Sequence, residues 1–275
     1  MSYKTSHKLK SIKGISVISL VVAIILVALF AEYLTPQDPY YTDFTIANNP
    51  PSAEYWFGTD SLGRDIFSRL ILGTQTSVLA AIMLVIITTI TGSVLGMIAG
   101  YYGGKLDTVI ARTVDVTLSF PDFVIALAII GIVGIGLIPA MGAIVATRWA
   151  KYARLSRSLV IKIKSQGFIT AAITTGTKRS RIIFSHILPN ILPQIFVTAC
   201  LDIGSMIMML SALSFLGFGI IPPTPEWGYM LNEARGAFLT SPYLLYGPGG
   251  AILIAVSIFN LFGDSMRDIF DTRSI

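Results

Sequence analysis

The chain has 275 residues, of which 53% are hydrophobic and only 13% charged, about half the charged share usual in soluble domains. With a mean hydropathy of +0.73, this composition excludes an ordinary soluble globule and points to a polytopic membrane protein. The net charge of +5 suggests nothing about nucleic acid until the basic residues are placed, and a single cysteine, Cys200, excludes an internal disulfide and any C-x-x-C site.

Residues 1–13 carry Lys4, Lys8, Lys10 and Lys13 and no acid, and read as a cytoplasmic tail. Gly14 to Ala31 is eighteen residues without a charge, longer than the roughly 7–15 apolar residues of a cleaved signal. It is expected to be a retained anchor, transmembrane helix 1 at 14–34. Pro36, Pro39, Pro50 and Pro51 with Asp38, Asp43, Glu54 and Asp60 then make 35–75 a turn-rich extracytoplasmic segment. A core of five further spans is expected over 76–263. Span 2, from Thr76 to Gly100, contains Gly92, Gly96 and Gly100, a doubled G-x-x-x-G that predicts a seam of close helix packing.

Phe123 to Thr147 is twenty-five residues without a charge, enough for one span or the middle of two. Charge bias favours two. One span would put the nine Lys and Arg between Arg148 and Asn190 on the side opposite the N-terminal lysines, and two put both clusters on one side. Span 3 is therefore expected at about 108–134 and span 4 at about 138–156. The glycines before Pro139 form their outer turn, and Arg112, Asp115, Arg148, Lys151 and Arg154 stand at the inner ends. Spans 5 and 6 fall at about 191–220 and 245–263, separated by Pro222-Pro223-Thr224-Pro225-Glu226-Trp227-Gly228, which cannot continue a helix. The expectation is an all-α protein of six transmembrane helices with both termini cytoplasmic and a tail at 264–275. It places seventeen of the twenty Lys and Arg inside, leaving Arg64, Arg69 and Arg235 outside. Topology thus accounts for the positive charge without nucleic acid.

Self-contained chemistry is not evident. There is no G-x-x-x-x-G-K-[ST], the nearest stretch being Gly100-Tyr101-Tyr102-Gly103-Gly104-Lys105-Leu106, and no G-x-S-x-G or H-E-x-x-H. His7 and His186 are far apart. A non-catalytic protein is expected. The informative stretch lies in the inner loop 157–190, where Phe168, Ala171, Ala172 and Thr175 recur at i, i+3, i+4 and i+7 before Gly176. This spacing predicts a short helix with one small, weakly apolar face, ended by a left-handed glycine. A helix of that kind has no evident core of its own, so its face suits a partner's groove, with a solvated basic loop as the alternative.

Ala171-Ala172, Gly176, Leu188 and Pro189 reproduce the spacing of the E-A-A-x-x-x-G-x9-I-x-L-P coupling motif. Through them the chain resembles the permeases of ABC importers, with Thr170 where that family has Glu and His186 where it often has Ile. Four further blocks resemble the dipeptide, oligopeptide and nickel branch: the segment from Phe57 to Asp65, Trp149 to Arg154, Leu213 to Gly219 with the following Pro222 to Gly228, and Phe259 to Asp264. The resemblance implies a type I importer permease fold in a bacterial cytoplasmic membrane. It implies a second homologous permease, two cytoplasmic ATPases that use ATP and Mg, and an extracytoplasmic solute-binding protein. It makes Phe168, Ala171, Ala172, Gly176, Leu188 and Pro189 the ATPase-coupling residues.

Asp202 falls inside span 5, where a lone charge is costly. It either borders a translocation path or is hydrogen-bonded between helices. Leu201-Asp202-Ile203-Gly204 with Met206, Met208 and Met209 leans toward the nickel-type members, though methionines at this spacing also serve as packing. Nickel, a metal chelate and a di- or oligopeptide all stay open as cargo, with no metal site assigned. An ATP-independent secondary transporter or channel is the alternative, and a repeat of the kind such proteins carry is not seen.

Overall fold

The computed structural model describes residues 2–270, with side chains from residue 14 onward. The N-terminal lysine side chains and residues 271–275 of the expected tail lie outside the described residues. Among the described residues the fold is all-α, with only an isolated bridge between Thr59 and Asp65.

Helix α1 runs Ser2–Leu29 and is followed after Phe30 by the short α2, Ala31–Leu34. The chain then winds without a long helix to Asp65, whose carboxylate caps α3 (Ile66–Tyr102) by accepting from Ser68 N at 2.9 Å and Ser68 Oγ at 2.6 Å. Helix α3 starts ten residues before the expected span 2 because this cap, and not the hydrophobic run, sets its N-terminus. Instead of a straight span 3 there are two helices, α4 (Gly104–Leu118) and α5 (Asp122–Val133), bent by 92°. Pro121 between them has no N–H to donate, which breaks the ladder. Gly134 and Gly136, both at positive φ, form the expected turn into α6, Leu137–Lys164.

Helix α7 is Gly167–Thr174 and α8 is Arg179–Arg181. A π-helical stretch, Ile182–Ile187, joins α8 to α9 (Leu188–Phe215), so the helix begins before the expected start of span 5. Helices α10 (Trp227–Ala234) and α11 (Tyr243–Phe270) complete the chain. By length and composition, α3, Arg179–Phe215 and α11 are apolar and long enough to cross a membrane, and the bent pair α4–α5 is apolar enough to be either a broken fourth span or a re-entrant loop. The apolar part of α1, Gly14–Leu29, is shorter. Helix α6 is long but polar in its second half, where Arg148, Lys151, Arg154 and Arg157 follow one another every three residues.

The core sits where α3, α5, α6, α9 and α11 meet, around Leu84, Ile130, Ile144, Met206, Ile207 and Phe259. A second cluster, with Tyr101, Tyr152, Val160, Ile163, Ile169, Ile182 and Ile187, ties the C-terminal ends of α3 and α6 to α7 and the π-helical stretch. The glycine seam forms as expected. A Cβ added to Gly92 would lie 2.7 Å from Tyr152 Cβ, and one on Gly100 would lie 2.9 Å from the Arg157 carbonyl oxygen. Backbones at that distance gain dispersion and interhelical hydrogen bonding, the available attractions where both helices face lipid. Ser156 Oγ donates across the seam to Ser93 O at 3.1 Å.

Candidate functional site

The Phe57–Asp65 block, expected outside the membrane, builds a turn rather than a catalytic loop. Asp60 accepts from Leu62 N at 2.9 Å, Arg64 N at 3.0 Å and Arg64 Nε at 2.7 Å. Arg64 and Arg69 then both reach Glu233 on α10, at 2.8 and 3.0 Å. The two arginines are 3% and 1% exposed, so side chains read from sequence as outer-loop charges are buried ties. They hold 60–69 to a residue more than 160 positions away. Burial by itself lowers the pKa of Arg69, with Arg64 beside it adding to the effect and Glu233 and Asp60 opposing it. The Pro222–Gly228 block is equally structural. Glu226 is fully buried and caps α10 through Gly228 N at 3.0 Å and Tyr229 N at 2.8 Å, while Ser77 Oγ donates to it at 3.2 Å. Its pKa is raised by burial, against the pull of those donors. Trp227 donates its indole N–H to Leu70 O at 3.1 Å.

At the other end, α7 is the short helix anticipated between Phe168 and Gly176, and its sides are now defined. Ile169 is buried in the second cluster and Ala172 is half-buried toward it, whereas Phe168, Ala171, Ile173 and Thr175 are exposed. The helix does have a core of its own, because Ile169 is buried in the second cluster while most of the small-residue face is not. Three of the four face residues stay uncovered, and Ala172 turns inward. Gly176, at φ +76°, ends the helix, with Gly176 N donating to Ile173 O and Thr177 N to Ala172 O, both at 3.0 Å. Leu188 is half-buried against the second cluster, Pro189 is exposed in the first turn of α9, and His186 meets the Phe168 ring edge-on at 6.5 Å.

Asp202 takes the hydrogen-bonded arrangement. Its carboxylate accepts from Lys151 Nζ at 2.6 and 2.9 Å and from Tyr152 Oη at 2.8 Å, bracing α9 against α6. The acid is 7% exposed and the lysine 44%. Three further α6 cations are matched too: Arg148 with Asp122 at 2.6 Å, Arg154 with Asp115 at 2.8 Å and Arg157 with Asp107. Sequence reasoning missed this ladder, although the three-residue spacing of the cations was visible. A cavity of about 680 Å³ lies at the α4–α5 bend, lined by Thr117, Leu118, Phe120, Pro121 and Asp122. Facing them are Thr147, Arg148, Lys151, Arg154, Leu155 and Ser158 of α6 and Thr198 of α9. Asp202 stands behind Lys151 and is not in the lining.

Met206 and Met209 are buried in the main core and Met208 is exposed, which is packing rather than a ligand set. Among the described residues no group of three or more His, Cys, Asp or Glu is placed to hold a metal ion. Cys200 is buried and free.

Residues 92–275 match the family described as binding-protein-dependent transport system inner membrane component. The chain is 40% identical over 255 residues to the probable D,D-dipeptide transport system permease protein DdpC of Escherichia coli, covering 93% of this chain and 86% of that one. It is 44% identical over 254 residues to the glutathione transport system permease protein GsiD of Salmonella typhimurium, covering 92% and 84%. With the nickel transport system permease protein NikC of Escherichia coli it shares 38% over 250 residues, 91% and 90% of the two chains. Among solved structures, an inward-facing form of the MetNI methionine ABC transporter is similar in fold. Its TM-score is 0.55 at 16% identity, over 71% of this chain and 94% of that one.

Proposed function

The chain belongs to the binding-protein-dependent transport system inner membrane components, the non-catalytic permease subunits of ABC importers, and on that premise we propose how it works. It spans the membrane six times with both termini cytoplasmic. It pairs with a second, related permease, two ATPases energise the pair with ATP and Mg, and an extracytoplasmic binding protein delivers the solute. Residues 1–13 and 264–275 are the cytoplasmic tails, 14–34 the first span, 35–75 the outer segment and 76–263 the permease core with the coupling loop 157–190. Family membership sets aside the ATP-independent transporter that composition left open.

Helix α7 is the coupling element. Phe168, Ala171 and Thr175 present the surface that enters an ATPase groove, and Gly176 sets the angle at which the chain leaves it. Ile169, Ala172 and Leu188 fasten the helix to the inner ends of α3, α6 and α9, so a push on α7 moves those helices as one body. Pro189 starts the rigid helix that receives the push.

The cargo is an organic solute, a short peptide or a metal chelate, and not a bare metal cation. One observation carries this: among the described residues no group of three or more His, Cys, Asp or Glu is placed to hold a metal ion, and the three cations that line the cavity are each already paired with an aspartate. Such a lining offers a naked divalent ion no ready set of ligands, whereas a solute with its own polar groups and carbon frame fits the mixed lining. The test is affinity purification of the intact complex in mild detergent with mass spectrometry of what accompanies it. Recovery of a second permease, P-loop ATPases and a binding protein that retains a peptide or nickel chelate supports the reading. A chain that purifies alone and transports without ATP refutes it.

A further inference from the structure

Helix α6 rises about 1.5 Å per residue, so the uncharged stretch from Leu137 to Thr147 covers only about 16 Å of a hydrocarbon layer about 30 Å thick. If α6 crosses the bilayer, Arg148, Lys151 and Arg154 stand at membrane depth. Charges there must pair or face water. They do both, and the way they are paired leaves donors unspent. Lys151 carries three N–H donors and gives two hydrogen bonds to Asp202, so the acid holds the ammonium from behind and the third donor is free on the cavity side. Arg148 stands in ion-pair contact with Asp122, its Nε 2.6 Å from the carboxylate but without hydrogen-bond geometry, and Arg154 is held to Asp115 through one terminal nitrogen. Each guanidinium has five N–H donors in a planar fork, the geometry that matches a carboxylate. Among the described residues the guanidinium of Arg148 and the other nitrogens of Arg154 make no hydrogen bond within the chain. The hydroxyls of Thr117, Thr147, Ser158 and Thr198 are already spent on carbonyls of their own helices. Leu118, Phe120, Pro121 and Leu155 supply apolar wall.

From this arrangement we infer that the cavity at the α4–α5 bend is a carboxylate-binding station for the cargo, with Arg148 and Arg154 as the recognising groups and Lys151 as the fixed ammonium between them. The inference rests on the permease reading above and adds the chemical class: a solute presenting a free carboxylate beside a small apolar or amide body. Asp202 and Tyr152 act as positioning residues, setting where the ammonium stands.

The test uses the complex purified with its partner subunits, free of nucleotide and of binding protein, and two probes, radiolabelled trialanine and its C-terminal amide, in equilibrium dialysis. Wild type is expected to retain trialanine saturably and the amide at least about tenfold more weakly, the discrimination of one charge-assisted hydrogen bond. The double variant Arg148→Gln, Arg154→Gln should weaken trialanine binding by about tenfold or more and leave the amide unchanged, an asymmetry that a general loss of packing does not produce. If the double variant does not assemble, Arg154→Gln alone, on an exposed side chain, should give the same asymmetry in smaller measure. Equal binding of acid and amide, unchanged discrimination in the variants, or no saturable binding of either probe up to millimolar concentration overturns the inference. Failure of the importer reading shows separately, as a wild-type chain that brings down no ATPase.

Discussion

The glycine seam between α3 and α6 gives the sharpest stability prediction. In the Gly96→Ala variant an added Cβ would lie 2.8 Å from the carbonyl carbon of Ala153 and closer still to its oxygen. Because the obstacle is backbone, no rotamer change relieves it, and the helices must part. Ordinary contact begins near 3.5 Å, so the separation is roughly 1 Å, enough to forfeit a quarter to a half of the dispersion well along the seam. The hydrogen bond from Ser156 to Ser93 lengthens by the same movement. Overpacking of this kind costs about 1–3 kcal/mol, and at Gly96 it outweighs the gain of about 1 kcal/mol from replacing glycine by alanine in a helix. Gly142 in α6 is the control, since its added Cβ meets nothing within 4 Å. Gly142→Ala should therefore be neutral or stabilising by up to about 1 kcal/mol. Thermal unfolding of the purified chain in mild detergent should rank Gly142→Ala at or above wild type and Gly96→Ala clearly below it. Equal melting of the two variants would refute the argument that close backbone approach holds this pair.

At Gly176, valine must adopt a left-handed backbone at a cost of about 1–2 kcal/mol. Assembly and ATP hydrolysis should persist while solute taken up per ATP falls, and normal coupling in a normally assembled Gly176→Val complex would remove α7 from its role. Asp202→Asn should release Lys151, and a double-mutant cycle with Lys151→Met should return a coupling of about 1–3 kcal/mol, toward the lower end because the lysine is half exposed. A coupling of zero would mean the pair braces nothing. Glu233→Ala leaves two buried guanidinium groups short of a partner and should destabilise the outer segment by about 3–5 kcal/mol, read as rapid proteolysis between residues 35 and 65. Protection equal to wild type would contradict it. Burial raises the pKa of Glu226, so the folded state holds that proton over a pH window where the unfolded chain has released it. The stability this residue contributes is then full at acid pH and lost as pH rises through the raised value. Thermal midpoints across pH should show that downward slope in wild type and a shallower one in Glu226→Gln, and parallel profiles would count against it.

Much of the chemistry was legible because it is local. Hydrophobic runs, the three-residue recurrence around Phe168 and the four-residue recurrence at Gly92, Gly96 and Gly100 are properties of neighbouring positions, and helix geometry converts them directly into faces. The turn at Gly134–Pro139 and the break after α7 were likewise fixed by residues that only certain backbone angles admit. The start of α3 was missed because a cap at Asp65, in polar sequence, sets it. The bend at Pro121 was missed because the charge and hydropathy profile runs through it.

The sequence by itself determined that this is a polytopic membrane protein with a small-residue seam and a short glycine-ended helix, since composition, periodicity and allowed backbone angles are written residue by residue, and its motif blocks carried the resemblance to importer permeases. Only the tertiary structure decided how the charges are spent. It buried Arg64 and Arg69 against Glu233, turned Ile169 rather than Ala171 inward, and set Asp202 behind Lys151 so that the ammonium faces a cavity. The reason is physical: the energy of an ion pair depends on separation and on the surrounding dielectric, and neither exists until helices distant in sequence have packed side by side.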